Sequence, residues 1–593
     1  MSTKATTLGD CIANFPKRDS QQAAIKFKDK KKWISKSWQE YYKDIESIGL
    51  ALKKLGIQKG DRVAIMANTR YEWSVFDLAI MGIHAVTVPI YQNNRAEEVE
   101  YILNNSEAKF LICETKGTLR SFLAIKDKCP SIEQVIVMDN KSHHEGVLAW
   151  SDLLELGKIN AENTGLFKSL CSSLSPEDMA TILYTSGTTG LPKGVVLTHL
   201  QAFSEVSEAF PFCGATTKDV SLSFLPYAHI LGRIEHWGHT FIGFTLCYAE
   251  NIDRVRQNLV EIHPTFLVSV PRIFEKVYAA IITQVQTKPL KLKLFNWAIG
   301  VGKKVSDYKI RGEVLPLDLL AQYELAKKLV LNKVTEAFGG KLRFAISGGA
   351  PISQEIAAFF HAAGVLILEG YGLTETTAAI TVNTPYNYRF GSVGRPIGEV
   401  QIKIADDGEI LVKSDKVMKE YYKNPEATKE AFTDGWFHTG DIGELLDNGD
   451  LKITDRKKDL IKTAGGKYVA PQRLEGFLKL SPVIGHALIH GDQQKYVVAL
   501  LSLDRPTVMT LAKEQNVEFQ NWEDLSQNHF TQELARQAVA EANSHLASFE
   551  TIKRFKIVPE EFTVEGGELT PSMKVKRKVL DKRYSQTIHD LYQ

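Results

Sequence analysis

Hydrophobic positions in the first hundred residues form blocks that predict two buried strands with a helix between them. Residues 62–66 and 85–90 are short apolar runs, and the segment between them is rich in apolar side chains up to about Gly82. Thr69 and Glu72 have the spacing of a capping box, which predicts that a helix starts there. A strand, a helix and a second strand in succession predict two parallel strands of one sheet.

The same pattern returns in the middle of the chain. Residues 342–347 and 365–368 are apolar runs, and residues 353–363 between them repeat apolar side chains at three- and four-residue spacing. That spacing places the side chains on one face of a helix, so a second strand–helix–strand unit is predicted. The face consists of Ile356, Phe359, Phe360 and Ala363.

Beyond this second unit the pattern changes to short strand-like segments that follow turns. Residues 408–412 and 449–453 are of this kind, which predicts a small β-rich subdomain over about 391–457. A chain of 593 residues is too long for one hydrophobic core. We therefore predict an α/β protein. A large N-terminal domain, residues 1–457, combines Rossmann-like sheet subdomains with the β-rich subdomain, and residues 458–593 form a smaller, mobile α+β domain.

Composition and charge narrow the classes of function. The formal net charge is only +2, so no global basic charge draws the chain to nucleic acid. None of the six cysteines belongs to a Cys-x-x-Cys pair, which argues against a zinc site or a disulfide framework. The start of the chain lacks the apolar segment of a signal peptide. The longest uncharged apolar stretch, residues 237–249, is shorter than the roughly 18 residues of a membrane-spanning helix. We expect a cytoplasmic protein with no obligate protein partner.

The strongest local motif is the segment 184–194, which follows the apolar run 180–183. Its three glycines allow tight turns that expose backbone N–H groups, and hydroxyls and a lysine add further donors. Such a loop suits a polyphosphate, although its spacing is not that of a Walker loop. The alternative is an ordinary polar surface loop. The candidate phosphate-binding residues are Thr185, Ser186, Gly187, Thr188, Thr189, Gly190 and Lys193.

Four further motifs follow this loop in a fixed order. They are Ser347–Pro351, Gly370–Glu375, Gly435–Asp441 and Asp455–Asp459. Together the five motifs resemble those of the AMP-forming adenylating superfamily, which holds acyl-CoA synthetases, luciferases and adenylation domains of peptide synthetases. The resemblance covers nearly the whole chain.

Several of these residues suit a nucleotide on physical grounds. Tyr371 follows a strand end, where an open α/β sheet binds ligands, and its ring can stack on adenine opposite Gly349 and Ala350. Asp441 can accept hydrogen bonds from both ribose hydroxyls, and Arg456 can contact the ribose or a phosphate. The alternatives are that Tyr371 is a tyrosine of the core, that Asp441 is a turn residue and that Arg456 is a solvated surface charge. The full set of candidates adds Glu369, Gly370, Gly372, Thr374 and Ile453.

The resemblance also implies a metal site and a catalytic lysine. In the superfamily, the residues that match Thr185 and Glu375 hold Mg²⁺, whose hard charge suits oxygen ligands. The last motif supplies a lysine to the carboxylate and the α-phosphate. It matches 568–577 here, where Met573 replaces the usual glycine, so both Lys574 and Lys576 are candidates. The alternative is a basic tail.

Two more roles follow from the resemblance. His229 matches the position that lines the acyl and thiol end of the pocket. The alternative is that His229 is a core histidine whose ring nitrogens are hydrogen-bonded within the protein. In the superfamily the small domain rotates between half-reactions about the residue that matches Lys458. The loop containing Gly465, Gly466 and Lys467 would then line the thiol tunnel.

These features predict a ligase that uses ATP, Mg²⁺ and coenzyme A. It would activate a carboxylate as acyl-AMP, with Lys193 and Lys574 stabilising the added negative charge. Residues 269–278 and the helical insertion up to about 340 resemble long-chain fatty acyl-CoA synthetases, so the substrate is expected to be a long-chain fatty acid. The alternatives are a fatty acyl-AMP ligase or an enzyme that loads a carrier protein, and an inactive lipid-binding paralogue.

A weak peripheral contact with a membrane is predicted for residues 288–304. Five lysines surround a stripe of apolar side chains there, a pattern that favours anionic lipid surfaces. The alternative is an insertion helix packed on its own domain with solvated lysines. The stripe consists of Leu290, Leu294, Trp297, Ala298 and Val301.

Overall fold

Two strand–helix–strand units lie at the centres of two separate sheets. The computed structural model describes residues 5–140, 144–159, 163–185, 191–286, 289–563, 566–570 and 574–593. The strands are β1 (Ala23–Asp29), β2 (Lys32–Ser37), β3 (Arg62–Met66), β4 (Val86–Ile90), β5 (Phe110–Cys113), β6 (Gln134–Val137), β7 (Val147–Ala149), β8 (Met179–Thr185), β9 (Lys193–Thr198), β10 (Val220–Ser223), β11 (Thr245–Tyr248), β12 (Phe266–Ser269), β13 (Phe344–Ser347), β14 (Ile367–Leu373), β15 (Ala378–Val382), β16 (Arg395–Pro396), β17 (Gln401–Ile404), β18 (Glu409–Lys413), β19 (Glu420–Tyr421), β20 (Phe432–Thr433), β21 (Trp436–Leu445), β22 (Leu451–Arg456), β23 (Ile461–Lys462), β24 (Tyr468–Val469), β25 (Ile484–His490), β26 (Val497–Leu503) and β27 (Ile552–Val558).

Helices cover these sheets. They are α1 (Leu8–Ala13), α2 (Trp38–Lys54), α3 (Tyr71–Gly82), α4 (Ala96–Ser106), α5 (Lys116–Leu123), α6 (Trp150–Leu156), α7 (Leu166–Ser172), α8 (His199–Phe212), α9 (Ile230–Ile242), α10 (Val255–Ile262), α11 (Pro271–Gln286), α12 (Pro289–Arg311), α13 (Leu317–Ala326), α14 (Asn332–Glu336), α15 (Gln354–Ala362), α16 (Pro425–Glu430), α17 (Pro471–Leu478), α18 (Arg505–Glu514), α19 (Trp522–Gln527), α20 (His529–Ser544), α21 (Arg577–Arg583) and α22 (Ser585–Asp590).

The first predicted unit belongs to a sheet of order β19-β9-β8-β4-β3-β5-β6-β7, and the second to one of order β12-β13-β14-β15-β16. Strands β3 and β4 pair in parallel, as do β12, β13 and β14. Both sheets are mixed, because β9 returns antiparallel to β8 and β15 antiparallel to β14. Those two returns follow the phosphate-loop motif and the Gly370–Glu375 motif, so they place both motifs at strand ends.

Helices α8 and α9 pack on each other between the two large sheets. Helix α8 contacts β8 and β9 on one side and β15 on the other, and α9 contacts β12 and β15. Their contact faces are apolar, and most of their residues are buried. A space remains between these two helices and the second sheet.

The β-rich subdomain and the C-terminal part have their own sheets. Strands β17, β18, β21 and β20 form an antiparallel sheet, with β22 paired to β21. The C-terminal part carries the sheet β25-β26-β27 and a separate hydrophobic core. The α/β architecture with a large N-terminal and a smaller C-terminal domain is therefore confirmed.

Two local predictions were wrong. Helix α3 begins at Tyr71 without a side-chain cap, and the Thr69 side chain is oriented towards Leu225, to whose carbonyl its hydroxyl donates at 2.6 Å. The predicted stripe of α12 does not face outwards as a unit, since Ala298 and Val301 are buried. In this region α12 packs on α15 so closely that a Cβ at Gly302 would overlap a backbone carbonyl. Lys288 lies outside the described residues.

None of the described helices is both long enough and apolar enough to cross a bilayer.

Candidate active site

His229 caps the N-terminus of α9 and lines the space between α9 and the second sheet. Its Nδ1 accepts the backbone N–H of Leu231 at 3.2 Å, so the ring proton is on Nε2. Burial, together with a smaller effect of the nearby Lys574 charge, lowers the pKa of His229 to about 3. The imidazole is therefore neutral near pH 7 and can donate a hydrogen bond into the cavity.

Glu375 and Lys193 meet around a tyrosine that sequence reasoning missed. The Tyr421 hydroxyl donates to Glu375 Oε1 at 2.9 Å. On the other side, Lys193 Nζ lies 4.8 Å from the centre of the Tyr421 ring. Strand β19 carries Tyr421 and pairs with β9, which carries Lys193. No motif could indicate Tyr421, since this pairing joins segments more than two hundred residues apart.

Thr185 and Glu375 offer the oxygen ligands that Mg²⁺ prefers. Thr185 ends β8 with its hydroxyl 3.4 Å from the carbonyl of Lys193, and Glu375 keeps Oε2 free of the Tyr421 hydrogen bond. Across the described residues, no group of three or more His, Cys, Asp or Glu side chains forms a metal cage. This donor set fits a magnesium ion that is held largely by substrate phosphates.

Ser186, Gly187, Thr188, Thr189 and Gly190, which were predicted to bind phosphate, lie outside the described residues.

Asp441, Tyr371 and Arg456 form a connected group at the edge of the β-rich subdomain. The Tyr371 hydroxyl donates to Asp441 Oδ2 at 2.6 Å, and Arg456 Nε lies 3.3 Å from Asp441 Oδ1. Burial raises the pKa of Asp441, while Arg456 and Tyr371 act in the opposite direction. The pairing of β21 with β22 brings Asp441 beside Arg456.

The remaining nucleotide candidates surround this group. A Cβ at Gly372 would overlap the carbonyl of Ala378, so only glycine fits there. Gly349 has a φ of 79°, in the left-handed region that favours glycine. Burial raises the pKa of Glu369 to about 8. Of the other candidates, Ala350 is exposed, whereas Gly370, Thr374 and Ile453 are half-buried.

Lys574 is the lysine of the last motif that reaches this site. It projects into a cleft where its surface stays accessible, although protein atoms surround it closely. This desolvation lowers its pKa to about 8; the Arg456 charge also lowers it, whereas Asp441 and Glu375 raise it. Lys576 instead precedes α21 and donates its backbone N–H to Glu568 at 2.8 Å. The structure therefore favours Lys574 over Lys576.

The loop predicted to line a thiol tunnel lies away from the site in this arrangement. Gly465, Gly466 and Lys467 form the exposed turn between β23 and β24, and Lys467 Nζ lies 6.0 Å from the Phe549 ring of its own domain. Lys458 is exposed in the turn that connects β22 to β23. The structure thus brings Lys574, and not this loop, next to Asp441 and Glu375.

Asp455 links the two sides of the Lys458 turn. Its Oδ2 accepts the backbone N–H of Gln472, at the start of α17, at 3.1 Å. Burial raises the pKa of Asp455 to about 6. Lys457, the residue before Lys458, forms an ion pair with Asp407 of the β-rich subdomain at 2.6 Å.

A narrow cavity of about 60 Å³ runs from His229 and Tyr371 into the interior between α8, α9 and the second sheet. Most of its lining is apolar, so it suits a hydrocarbon chain better than a charged group. Its lining residues are Glu205, Ala209, Phe210, Cys213, His229, Ile230, Leu231, Ile234, Val268, Ile346, Gly348, Gly349, Gly370, Tyr371, Gly372, Ala378, Ala379 and Val382.

A buried ion pair supports the wall of this cavity. Glu205 Oε1 accepts the backbone N–H of Ala379 at 3.1 Å, and Lys416 Nζ lies 3.3 Å from Glu205 Oε2. Thr377 and Ala378 just before have φ values of 53° and 80°, a strained left-handed turn. Burial raises the pKa of Glu205 to about 7, while Lys416 lowers it. The pair therefore holds the turn behind Glu375, and sequence reasoning missed it.

Comparison with known proteins agrees with this geometry. Residues 13–422 match the family described as AMP-binding enzyme, and residues 458–593 match the AMP-binding enzyme C-terminal domain. The chain is 37% identical over 566 residues to long-chain-fatty-acid–CoA ligase FadD15 of Mycobacterium tuberculosis, covering 94% of this chain and 92% of that protein. It is 33% identical to long-chain-fatty-acid–CoA ligase 5 of Rattus norvegicus, covering 95% of this chain and 84% of that protein.

Solved structures share the fold. The adenylation domain of a carboxylate reductase from Mycobacterium chelonae superposes with a TM-score of 0.78 at 22% identity, covering 100% of this chain and 92% of that one. The anthranilate CoA ligase AuaEII, solved with anthranoyl-AMP, gives 0.74 at 20% identity, with 98% of each chain covered.

Proposed function

Since the chain belongs to the family of AMP-binding enzymes, we propose that it is an ATP-dependent long-chain-fatty-acid–CoA ligase. It joins a long-chain fatty acid to coenzyme A through acyl-AMP and releases AMP and pyrophosphate. One observation carries the proposal: Lys574, Asp441 and Glu375 converge where an apolar cavity begins at His229. The relatives named as long-chain-fatty-acid–CoA ligases support the choice of substrate.

In the first half-reaction a carboxylate oxygen attacks the α-phosphorus of ATP, and the bond to the bridging oxygen of pyrophosphate breaks. Negative charge builds up around the α-phosphorus, so the positioned cations Lys574 and Lys193 stabilise the transition state. Mg²⁺, when bound by Thr185 and Glu375, would neutralise phosphate charge. Asp441 would accept the ribose hydroxyls, which orients the nucleotide for in-line attack.

In the second half-reaction the thiol sulfur of coenzyme A attacks the acyl carbon, the carbon–oxygen bond to AMP breaks, and the thiol proton is released to solvent. Lys574 has no role in this step, and rotation about Lys458 would remove it from the site. The same rotation would bring Gly465, Gly466 and Lys467 into the thiol tunnel. The exposed position of Lys458 in the turn between β22 and β23 supports a hinge there, and the rotation would break the Asp455–Gln472 hydrogen bond that spans this turn.

The acyl chain would occupy the cavity between α8 and α9. Its apolar lining begins beside His229, so a carboxylate at the mouth would leave the hydrocarbon inside. Burying a methylene group contributes about 0.8 kcal/mol, so a long chain gains much of its affinity there. Ala209→Trp should fill the cavity, abolish fatty-acid activation and leave AMP binding intact by calorimetry.

The alternative functions are less well supported. Residues 459–463 run on directly from Lys458, without the insertion that marks fatty acyl-AMP ligases, and Lys193, Glu375 and Lys574 argue against an inactive paralogue. An assay of pyrophosphate release with palmitate, with and without coenzyme A, separates the three. The ligase yields AMP and a CoA-dependent thioester, an acyl-AMP ligase yields no thioester, and an inactive protein releases nothing.

We also propose a weak contact between α12 and anionic membrane surfaces. Leu290, Leu294 and Trp297 are 83%, 40% and 37% exposed at four- and three-residue spacing, beside the exposed Lys291 and Lys293. Clustered apolar side chains among lysines favour the lipid–water interface. The next segment adds exposed apolar side chains at Ile310, Val314, Leu317, Leu320, Leu325 and Leu329.

A further inference from the structure

The cavity beside His229 follows two helices to a common end. Glu205, Ala209 and Cys213 line it from α8 and its C-terminus at four-residue intervals, which corresponds to a length of roughly 12 Å at 1.5 Å per residue. On α9 the lining runs from His229 through Ile230 and Ile234. The next residue on that face is Gly238, one turn further from the mouth.

Near this end the ring of Phe210 lines the cavity. The ring centre lies 6.0 Å from that of Phe244 in a stacked arrangement and 6.4 Å from that of Phe266 in an edge-on arrangement. Phe210 is buried, so these two aromatic neighbours leave it little freedom to move.

Gly238 provides the space in which this ring lies. A Cβ built at Gly238 would overlap three carbon atoms of the Phe210 ring. Gly238 is buried within α9, where glycine is disfavoured over alanine by about 1 kcal/mol, so its backbone conformation does not explain its presence. The missing side chain lets the ring lie back against α9 and out of the cavity.

We propose that Phe210 and Gly238 together set the longest acyl chain that the enzyme accepts. The proposal rests on the assignment of this cavity to the acyl chain. Phe210 is the end wall, and Gly238 determines how far back that wall stands. A side chain at 238 pushes the ring towards His229 and shortens the cavity, whereas a smaller side chain at 210 lengthens it.

The test compares kcat/KM for straight-chain acids of even length from 8 to 20 carbons. In Gly238→Ala, kcat/KM for acids at the long end of the wild-type range should fall roughly tenfold or more, because a terminal methylene without space costs that much in a closed pocket. Octanoate should react as in the wild type. Phe210→Leu should extend the range towards longer acids.

The double variant makes the test specific. If the added methyl group acts by displacing the ring, Gly238→Ala should have no effect once Phe210 is leucine, and the double variant should match Phe210→Leu. Gly300→Ala is the matched control, because Gly300 is also helical but has open space at its Cβ position. Its chain-length profile should equal that of the wild type.

Three results would overturn the proposal. The chain-length profile of Gly238→Ala could equal that of Gly300→Ala, or Gly238→Ala could lower kcat/KM equally for every acid. The lower kcat/KM for long acids could also persist when Gly238→Ala is combined with Phe210→Leu. Gly238→Ala alone decides the matter if Phe210→Leu does not fold, which melting temperatures will reveal. Failure of the proposed function is distinct, since wild-type protein would then form no thioester with any acid.

Discussion

The nucleotide region and the acyl cavity adjoin at Tyr371, yet they are built in different ways. Around the nucleotide, each motif supplies charged or small residues at a strand end, and burial shifts their pKa values, raising that of Asp441 and lowering that of Lys574. The cavity is apolar and takes its lining from α8, α9 and the second sheet, with Glu205 at its wall. Chemistry common to a family therefore resides in short segments, whereas substrate size depends on packing between distant ones.

If this contrast is correct, changes in the nucleotide region should affect all acids alike. Glu375→Gln should lower acyl-AMP formation by roughly 10²–10³-fold for every chain length, because it removes a charge that acts on the phosphates. Pyrophosphate exchange at saturating Mg²⁺ measures this. Tyr421→Phe removes only the hydrogen bond to Glu375, so it should lower the rate of acyl-AMP formation far less. Near wild-type rates in Glu375→Gln would refute the metal assignment.

Lys574→Ala should separate the two half-reactions. Adenylation should fall by about 10²-fold, since one stabilising cation is lost, while thioester formation from preformed acyl-AMP should persist. Single-turnover measurements of each step provide the comparison. Lys576→Ala is the control and should change neither step. If Lys574→Ala slowed both steps equally, this would contradict a rotation of the small domain between the two half-reactions.

Lys458→Pro should show the reverse pattern. Proline restricts the backbone torsion that a hinge must change, so thioester formation should drop at least tenfold while adenylation stays largely intact. Lys458→Ala keeps the torsion free and should retain both steps. An unchanged overall rate in the proline variant would place the hinge elsewhere.

The pH dependence of adenylation should report the charge on Lys574. Its pKa is lowered from 10.5 to about 8, so the lysine is protonated below this pH and loses its charge above it. The adenylation rate should therefore fall as the pH rises through about 8. Lys574→Arg stays charged and should lose this alkaline decline, even if its rate is lower. A decline that persists in Lys574→Arg would assign it to another group.

Changes at the membrane surface should have the smallest effect on catalysis. Replacing Lys291, Lys293 and Lys303 by Glu should weaken co-sedimentation with anionic vesicles at low salt, because each lysine contributes about 1 kcal/mol near such lipids. Neither half-reaction should change with soluble acids. The control replaces the exposed lysines at 30, 31 and 32 by Glu, which makes the same change in net charge. Equal binding by both variants would exclude α12 as the contact.

Some features of the molecule were predictable and others were not. The two strand–helix–strand units and the superfamily resemblance are confirmed, because apolar periodicity and consecutive motif residues depend on local backbone geometry. The capping box at Thr69 was wrong, since its side chain is oriented towards the carbonyl of Leu225, 156 residues away, and does not cap the helix. The stripe on α12 was wrong in part, since Ala298 and Val301 are buried where α12 packs on other helices of its domain.

The sequence by itself determined the family, the order of the motifs and the candidate nucleotide ligands, because each motif combines its chemistry with the turn that presents it. Only the tertiary structure decided that Lys574 rather than Lys576 reaches the cleft, that Tyr421 binds Glu375, and that Phe210 lines the acyl cavity against Gly238. These relations join residues that are distant along the chain. Their distances are set by how sheets and helices pack, which local patterns do not encode.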